Sequence, residues 1–295
     1  MLYTRRDMKG GYKKTPHWHG FTIIEVMVFL AVSGMTFLIA ANFINGKESQ
    51  AEYYQGMNQA LADIRTNINN VSNGNYPLPY NSGLSCAVNT NGPSIQISTT
   101  GSSATAGCTL IGEGLAPEVG TNSSDYATFT LAGCQFYDPA LNGCSNSINN
   151  VPMTVQQEMP QVVTPLTKTD IWPGGVIVTK MFSIINGNWS PIGLVGFFAS
   201  LPSVNGNVYQ SGSQPVSMVV FQQSSLGDSV DQYGQQIDDL GTGQTSYSML
   251  INGYVVVCFQ GTNGDIASIT IGGNNGGQQI TTSLDLGQGV PSQCQ

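Results

Sequence analysis

The sequence predicts an α+β protein: a long N-terminal α-helix, with a membrane half and an amphipathic half, packed on an antiparallel β-rich globular head. Three observations predict it. Phe21–Ile44 is a run of 24 residues in which Glu25 is the only charge. Ala51, Tyr54, Met57, Leu61, Ile64, Ile68 and Val71 then recur at spacings of three and four, the period of one helix face. Beyond residue 72 the composition turns to Gly, Ser, Thr, Asn and Gln, with short runs of Val, Ile, Tyr and Phe, the texture of antiparallel strands and their turns. The chain thus divides into a leader (1–20), a transmembrane and assembly helix (21–72) and a head (73–295), with two β subdomains split near residues 150–165 as the alternative for the head.

The leader is basic. Arg5, Arg6, Lys9, Lys13 and Lys14 stand against Asp7 alone, a net charge of +4 before Phe21. From residue 66 onward Lys168 and Lys180 are the only cations, against twelve acids. Positive charge held before an apolar span, with an acidic body after it, orients the span with its start in the cytoplasm and the body translocated. Charged residues make up 9% of the 295, against roughly a quarter in an average soluble domain, and this charge-poor, acidic balance argues against general nucleic-acid binding. The two histidines, His17 and His19, both lie in the leader, so a head using a His-based triad or a His-rich metal centre is excluded.

A helix of 24 residues covers about 36 Å, enough for a hydrocarbon core of about 30 Å. It is too long for the 7–15 apolar residues of a cleaved secretory signal, and the small residue Gly20 precedes the run instead of following it. A carboxylate in such a span costs roughly 2.5–3.5 kcal/mol at the centre and less near the headgroups. Glu25 is therefore either tolerated at the interface or kept for a function. No proline interrupts Phe21–Val71, so one continuous helix of roughly 75 Å is expected; an anchor followed by an unrelated surface helix is the alternative. Asn73-Gly74-Asn75-Tyr76-Pro77-Leu78-Pro79 ends it.

The basic leader, then Gly20-Phe21-Thr22-Ile23-Ile24-Glu25, then a membrane-length apolar helix, resembles the class III signal of the type IV pilin superfamily, which includes pilins, minor pilins and the pseudopilins of type II secretion. The resemblance covers residues 1 to about 70. It implies cleavage between Gly20 and Phe21 by a prepilin peptidase at the cytoplasmic face, and N-methylation of the new Phe21 amine. It also implies pairing of Glu25 with the Phe21 amine of a neighbouring subunit during assembly, since a buried carboxylate and a buried ammonium each demand a partner. The leader is longer than those of the commonest pilins, and the proline kink of many pilin helices is missing. The implied partners are copies of the chain and other pilins, the prepilin peptidase, and a pilus assembly platform protein in the membrane. The implied location is a single-pass protein of the cytoplasmic membrane with its head outside, then a surface pilus serving adhesion, twitching motility or DNA uptake. A minor pilin or a type II secretion pseudopilin is the nearest alternative, and a membrane-anchored secreted enzyme the remote one.

In the head, strands are expected at Ser94–Ser98, Ala127–Leu131, Val176–Ile185, Leu194–Ala199, Pro215–Gln222, Tyr247–Phe259, Ile266–Ile271 and Gln279–Leu286. Asn186-Gly187 and Asn252-Gly253 read as hairpin turns, the second splitting Tyr247–Phe259 in two. Six cysteines, all in the head, suit disulfides on the oxidising side of the membrane. Fifteen connectivities exist; nearest-neighbour pairing, Cys86–Cys108, Cys134–Cys144 and Cys258–Cys294, closes local loops and is the expectation. A C-terminal disulfide loop is also similar to that of many pilins.

Asp228, Asp231, Asp238 and Asp239 are the densest acids, a solvated loop or, as the weaker reading, a calcium site; their spacing does not match an EF-hand. Glu113, Glu118, Asp125, Asp138 and Glu158 offer carboxylate pairs, as any acidic protein does. No GxSxG, HExxH or GxxxxGK[ST] motif occurs, so no catalytic residue and no cofactor is expected. Tyr76, Tyr80, Trp172 and Trp189 would contact glycans if exposed, and pack the core otherwise.

Overall fold

Helix α1 runs unbroken from Ile23 to Asn73, as the absence of proline and the threefold and fourfold apolar spacing require. It ends where Gly74 takes a positive φ of 63°, a left-handed cap that glycine adopts at no steric cost. The computed structural model describes residues 21–74, 85–88, 95–98, 108–119, 124–134, 137–140, 143–144, 156–199, 216–222, 230–240, 247–250, 253–272 and 280–295. The chain divides into two compact units, Met1–Glu48 and Ser49–Gln295.

In the first unit, Ile23–Ala41 is a helix long and apolar enough to cross a membrane, and none of it is buried. The hydroxyl of Thr36 is satisfied within the helix, donating to the carbonyls of Val32 and Ser33 at 3.1 and 2.9 Å. That hydroxyl therefore needs no partner from lipid.

The second unit is an antiparallel sheet against which the C-terminal part of α1 packs. Its strands are β1 (Ser85–Val88), β2 (Ile95–Ser98), β3 (Cys108–Pro117), β4 (Asp125–Cys134), β5 (Tyr137–Asp138), β6 (Gly143–Cys144), β7 (Gln161–Val162) and β8 (Lys168–Ile171). They continue with β9 (Ile177–Ile185), β10 (Asn188–Ala199), β11 (Val216–Gln222), β12 (Tyr247–Leu250), β13 (Tyr254–Gln260), β14 (Ile266–Gly272) and β15 (Thr281–Leu286). A short helix α2 (Val230–Asp238) lies between β11 and β12. Eleven of these strands form one sheet with the path β15-β14-β13-β9-β10-β3-β4-β7; β11 joins through β10, β12 through β11 and β8 through β4. The pairs β1–β2 and β5–β6 stand apart from it.

β10 holds the sheet together. Its first residues, Asn188–Pro191, pair with β9, while Ile192–Ala199 pairs with β11 and Val195–Phe198 with β3. The β9–β10 turn is the expected one: Asn186 and Gly187 both have positive φ, 51° and 81°, the conformation of a two-residue hairpin. The second expected hairpin is corrected. β12 pairs with β11, whereas β13 pairs with β9 and β14. Asn252 lies outside the described residues, but β12 and β13 on either side of it pair with different strands and not with each other. Gly253 lies so close to the Ile184 carbonyl that a side chain would meet it at 2.8 Å.

The core also corrects the helix face. Tyr53, Met57, Ala60, Leu61, Ile64, Ile68 and Val71 are buried against residues of the sheet, among them Val255, Val257 and Phe259. Ala51 is exposed and Tyr54 is 39% exposed. The stripe is rotated at its start because Gly56 lies on the loop before β9: a Cβ there would meet the Pro173 carbonyl at 2.2 Å. Only glycine permits this approach, and it turns Tyr53, not Tyr54, onto Gly261. Trp172 stacks on Tyr126 with ring centroids 3.8 Å apart and meets Phe259 edge-on at 5.9 Å, so it is a core residue and not a glycan platform. Tyr76 and Tyr80 lie outside the described residues.

Two disulfides follow the expected pairing. Cys134 is bonded to Cys144, and Cys258 of β13 to Cys294, four residues after the buried Val290. The side chains of Cys86 and Cys108 lie outside the described part of the chain. Cys258–Cys294 closes the loop that carries β14 and β15, and losing a native disulfide of this kind costs about 2–5 kcal/mol. Cys294→Ser is therefore expected to lower the thermal unfolding midpoint of the chain, and Cys258→Ser by a similar amount; an unchanged midpoint in both would contradict a structural role.

Candidate functional site: the helix start and a polar pocket in the head

The first turn of α1 is built by Thr22 and Glu25. The Thr22 backbone N–H donates to Glu25 Oε2 at 2.8 Å and the Thr22 hydroxyl donates to the same oxygen at 3.0 Å. The Glu25 backbone N–H in turn donates to Thr22 Oγ1 at 3.3 Å. This is a capping box, with the hydroxyl residue at the N-cap and the glutamate three residues on, each satisfying a backbone donor that a helix start leaves without a partner. Thr22-Ile23-Ile24-Glu25 carries that signature openly; the reading of Glu25 as an intramembrane acid passed over it. The box uses Oε2, so the carboxylate has a structural role within its own chain. Gly20 lies outside the described residues, and Phe21 is 84% exposed. Past Glu25 the large apolar side chains from Val26 to Ile39, Phe29 and Phe37 among them, are exposed as well, a surface that lipid or other protein must cover.

A second feature lies within the head. The face of α1 beside its buried stripe presents Asp63, Thr66, Asn67 and Asn70, residues spaced 3, 1 and 3 apart and therefore on one side of the helix. They line a cavity of about 190 Å³ whose other wall is the sheet. Register explains the wall: Glu113 of β3 sits opposite Thr130 of β4, and Thr128 and Tyr126 of β4 sit opposite Lys168 and Asp170 of β8. These alternate residues project to one face of the sheet, as the period of two demands.

Glu113 is the anomaly of this wall. It is 3% exposed, the Asn70 side chain hydrogen-bonds it, and its Oε2 has no partner. Burial pushes its carboxyl up to about 7, against the bond from Asn70 and the charge of Lys168, which both act to lower it. Asp63 is fixed by Gln59, which donates to Oδ1 at 2.8 Å, and by the Tyr126 hydroxyl at 3.4 Å from Oδ2. Lys168 and Asp170 are exposed at the mouth. Only Glu113 of these had been singled out, as one acid among many, because a pocket made by register and helix docking leaves no contiguous motif.

Glu158 is also buried with Oε2 unpartnered, and burial raises its carboxyl well above the ordinary range. The acids named for calcium do not come together among the described residues. Asp228 and the side chain of Asp231 lie outside them, and Asp238 Oδ1 accepts the Val162 backbone N–H at 2.8 Å, tying α2 to β7. Asp239 follows at the end of α2. Among the described residues no group of three or more His, Cys, Asp or Glu is placed to hold a metal ion.

No protein-family model, curated protein or solved structure matches this chain.

Proposed function

We propose that the chain is a structural subunit of a type IV pilus-like filament, released from a basic leader at Gly20–Phe21 and assembled through its N-terminal helix. The observation that carries this reading is a single carboxylate, Glu25, in the first turn of a membrane-length helix whose apolar surface is entirely exposed. Lipid can cover such a surface before assembly, and the equivalent helices of other subunits can cover it afterwards. A carboxylate moved between those two settings needs a cationic partner in the second, and the amine that cleavage creates on Phe21 lies four residues away in sequence.

The test is to shear filaments from cells that make the protein and look for the chain in the sheared fraction by mass spectrometry. Its presence as the main component supports a pilus subunit exposed to the outside. Recovery only from the cell envelope, never in filaments, would contradict a major pilin and favour a pseudopilin.

A further inference from the structure

The pocket between α1 and the β3–β4–β8 wall is not used by helix-driven assembly, and its chemistry is one-sided. Glu113, Asp63 and Asp170 approach it from three different elements, with Lys168 the one cation lining it among the described residues. The hydroxyls of Thr128 and Thr130 and the Asn67 side chain add further acceptors around the buried carboxylate. The oxygen Glu113 Oε2 is buried without a hydrogen-bond partner, an arrangement that costs free energy until a donor reaches it.

We propose that this pocket binds the ammonium or guanidinium head of an alkyl cation, with Glu113 Oε2 as its central acceptor and Asp63 and Asp170 flanking it. Either a Lys or Arg side chain of a partner polypeptide or a free diamine supplies that head. A cavity of about 190 Å³ is below the roughly 300–1,000 Å³ of pockets for drug-sized ligands, so it takes a head group and not a nucleotide. An anion is disfavoured by the excess of carboxylates. Calcium and magnesium need about six converging oxygens and zinc about four ligands, and among the described residues no group of three or more His, Cys, Asp or Glu is placed to hold a metal ion. A sugar would want an aromatic platform, and Tyr126, the one aromatic ring lining the pocket among the described residues, is stacked on Trp172. Lys168 at the mouth is a built-in competitor, because its ammonium acts on the same carboxylate.

The pH dependence follows from the groups that face Glu113: Asp63 from α1, Tyr126 from β4, and Lys168 and Asp170 from β8. Glu113 titrates at about 7 and so changes charge between pH 6 and 8. Cation binding is expected to strengthen several-fold over that interval.

The experiment uses the full chain in nonionic detergent, titrated with putrescine and with an acetylated, amidated Gly-Lys-Gly peptide, followed by saturation-transfer NMR. n-Butanol and calcium chloride serve as controls. Saturable binding of either cation is expected, weakened about tenfold or more by Glu113→Gln and strengthened several-fold by Lys168→Met. Tighter binding of putrescine assigns the site to a free diamine, and tighter binding of the peptide assigns it to a partner's basic side chain. Near-UV circular dichroism checks that each variant is folded. Asp170→Asn, at the exposed mouth, gives a second reading with less risk to the core and should weaken binding several-fold. The proposal is overturned if neither cation saturates, if n-butanol binds as well as putrescine, if calcium binds in their place, or if folded Glu113→Gln binds as the parent does.

Discussion

Glu25→Gln is expected to leave the chain inserted in the membrane and folded while removing it from filaments. The variant separates two roles that one carboxylate plays. Within its own chain Glu25 closes the capping box with Thr22, and glutamine at that position can make the same reciprocal bond. Between chains the proposed role is charge pairing with a Phe21 amine, which glutamine cannot supply. Glu25→Ala removes both, adding the loss of the bond that the Glu25 carboxylate accepts from the Thr22 N–H. The measurement is the amount of chain in sheared filaments relative to the membrane fraction for both variants. If glutamine assembles normally and only alanine fails, Glu25 is a cap and nothing more.

Glu113→Gln is expected to stabilise the head at pH 8 and to change little at pH 5. The folded carboxyl titrates at about 7, raised from 4.5. The folded state therefore holds a proton over an interval in which the unfolded state has lost it. Stability falls as pH rises from about 4.5 through 7, and the loss is complete once the folded carboxyl is ionised. A shift of this size corresponds to about 3 kcal/mol, which the neutral glutamine amide does not incur. Glu158, raised in the same direction, steepens the same fall in both proteins, so the difference between parent and variant isolates Glu113. Urea unfolding at pH 5 and pH 8 reads the effect. An equal loss of stability at both values would show that the buried carboxylate is held by interactions glutamine cannot replace.

How much of this was legible in the sequence varies with how local the cause is. α1 is legible because the apolar run covers its first half, the 3/4 spacing its second, and no proline interrupts either. The error of one position at Tyr53 comes from Gly56 and its loop, a contact made by residues more than a hundred positions apart. The strands rich in Val, Ile and Phe were anticipated to within a few residues, apart from β10, which begins six residues before the expected start. β3 was not, because Cys-Thr-Leu-Ile-Gly-Glu-Gly-Leu-Ala-Pro reads as a loop. Its Gly112 is required by the sheet itself, since a Cβ there would lie 2.2 Å from the Phe197 carbonyl, beside the register shift between Leu110 and Gly112. β8 shows no alternation of burial, each of its four residues being exposed, and α2 carries Gly234 in its interior. With β3 and β8 hidden, the pocket they help to form was hidden too. The disulfides Cys134–Cys144 and Cys258–Cys294 were within reach because neighbours in sequence are the cheapest loops to close. The cap at Thr22 was readable and was missed only because the helix start was interpreted through its membrane setting.

The central claim is that α1 begins at a new amine on Phe21 and serves assembly. Intact-mass and N-terminal peptide analysis of the chain recovered from sheared filaments tests it most directly. The account predicts a first residue of Phe21, carrying the added mass of one methyl group, with residues 1–20 absent. A chain that still begins at Met1, or one cut after Ala41 at the end of the apolar span, would contradict it.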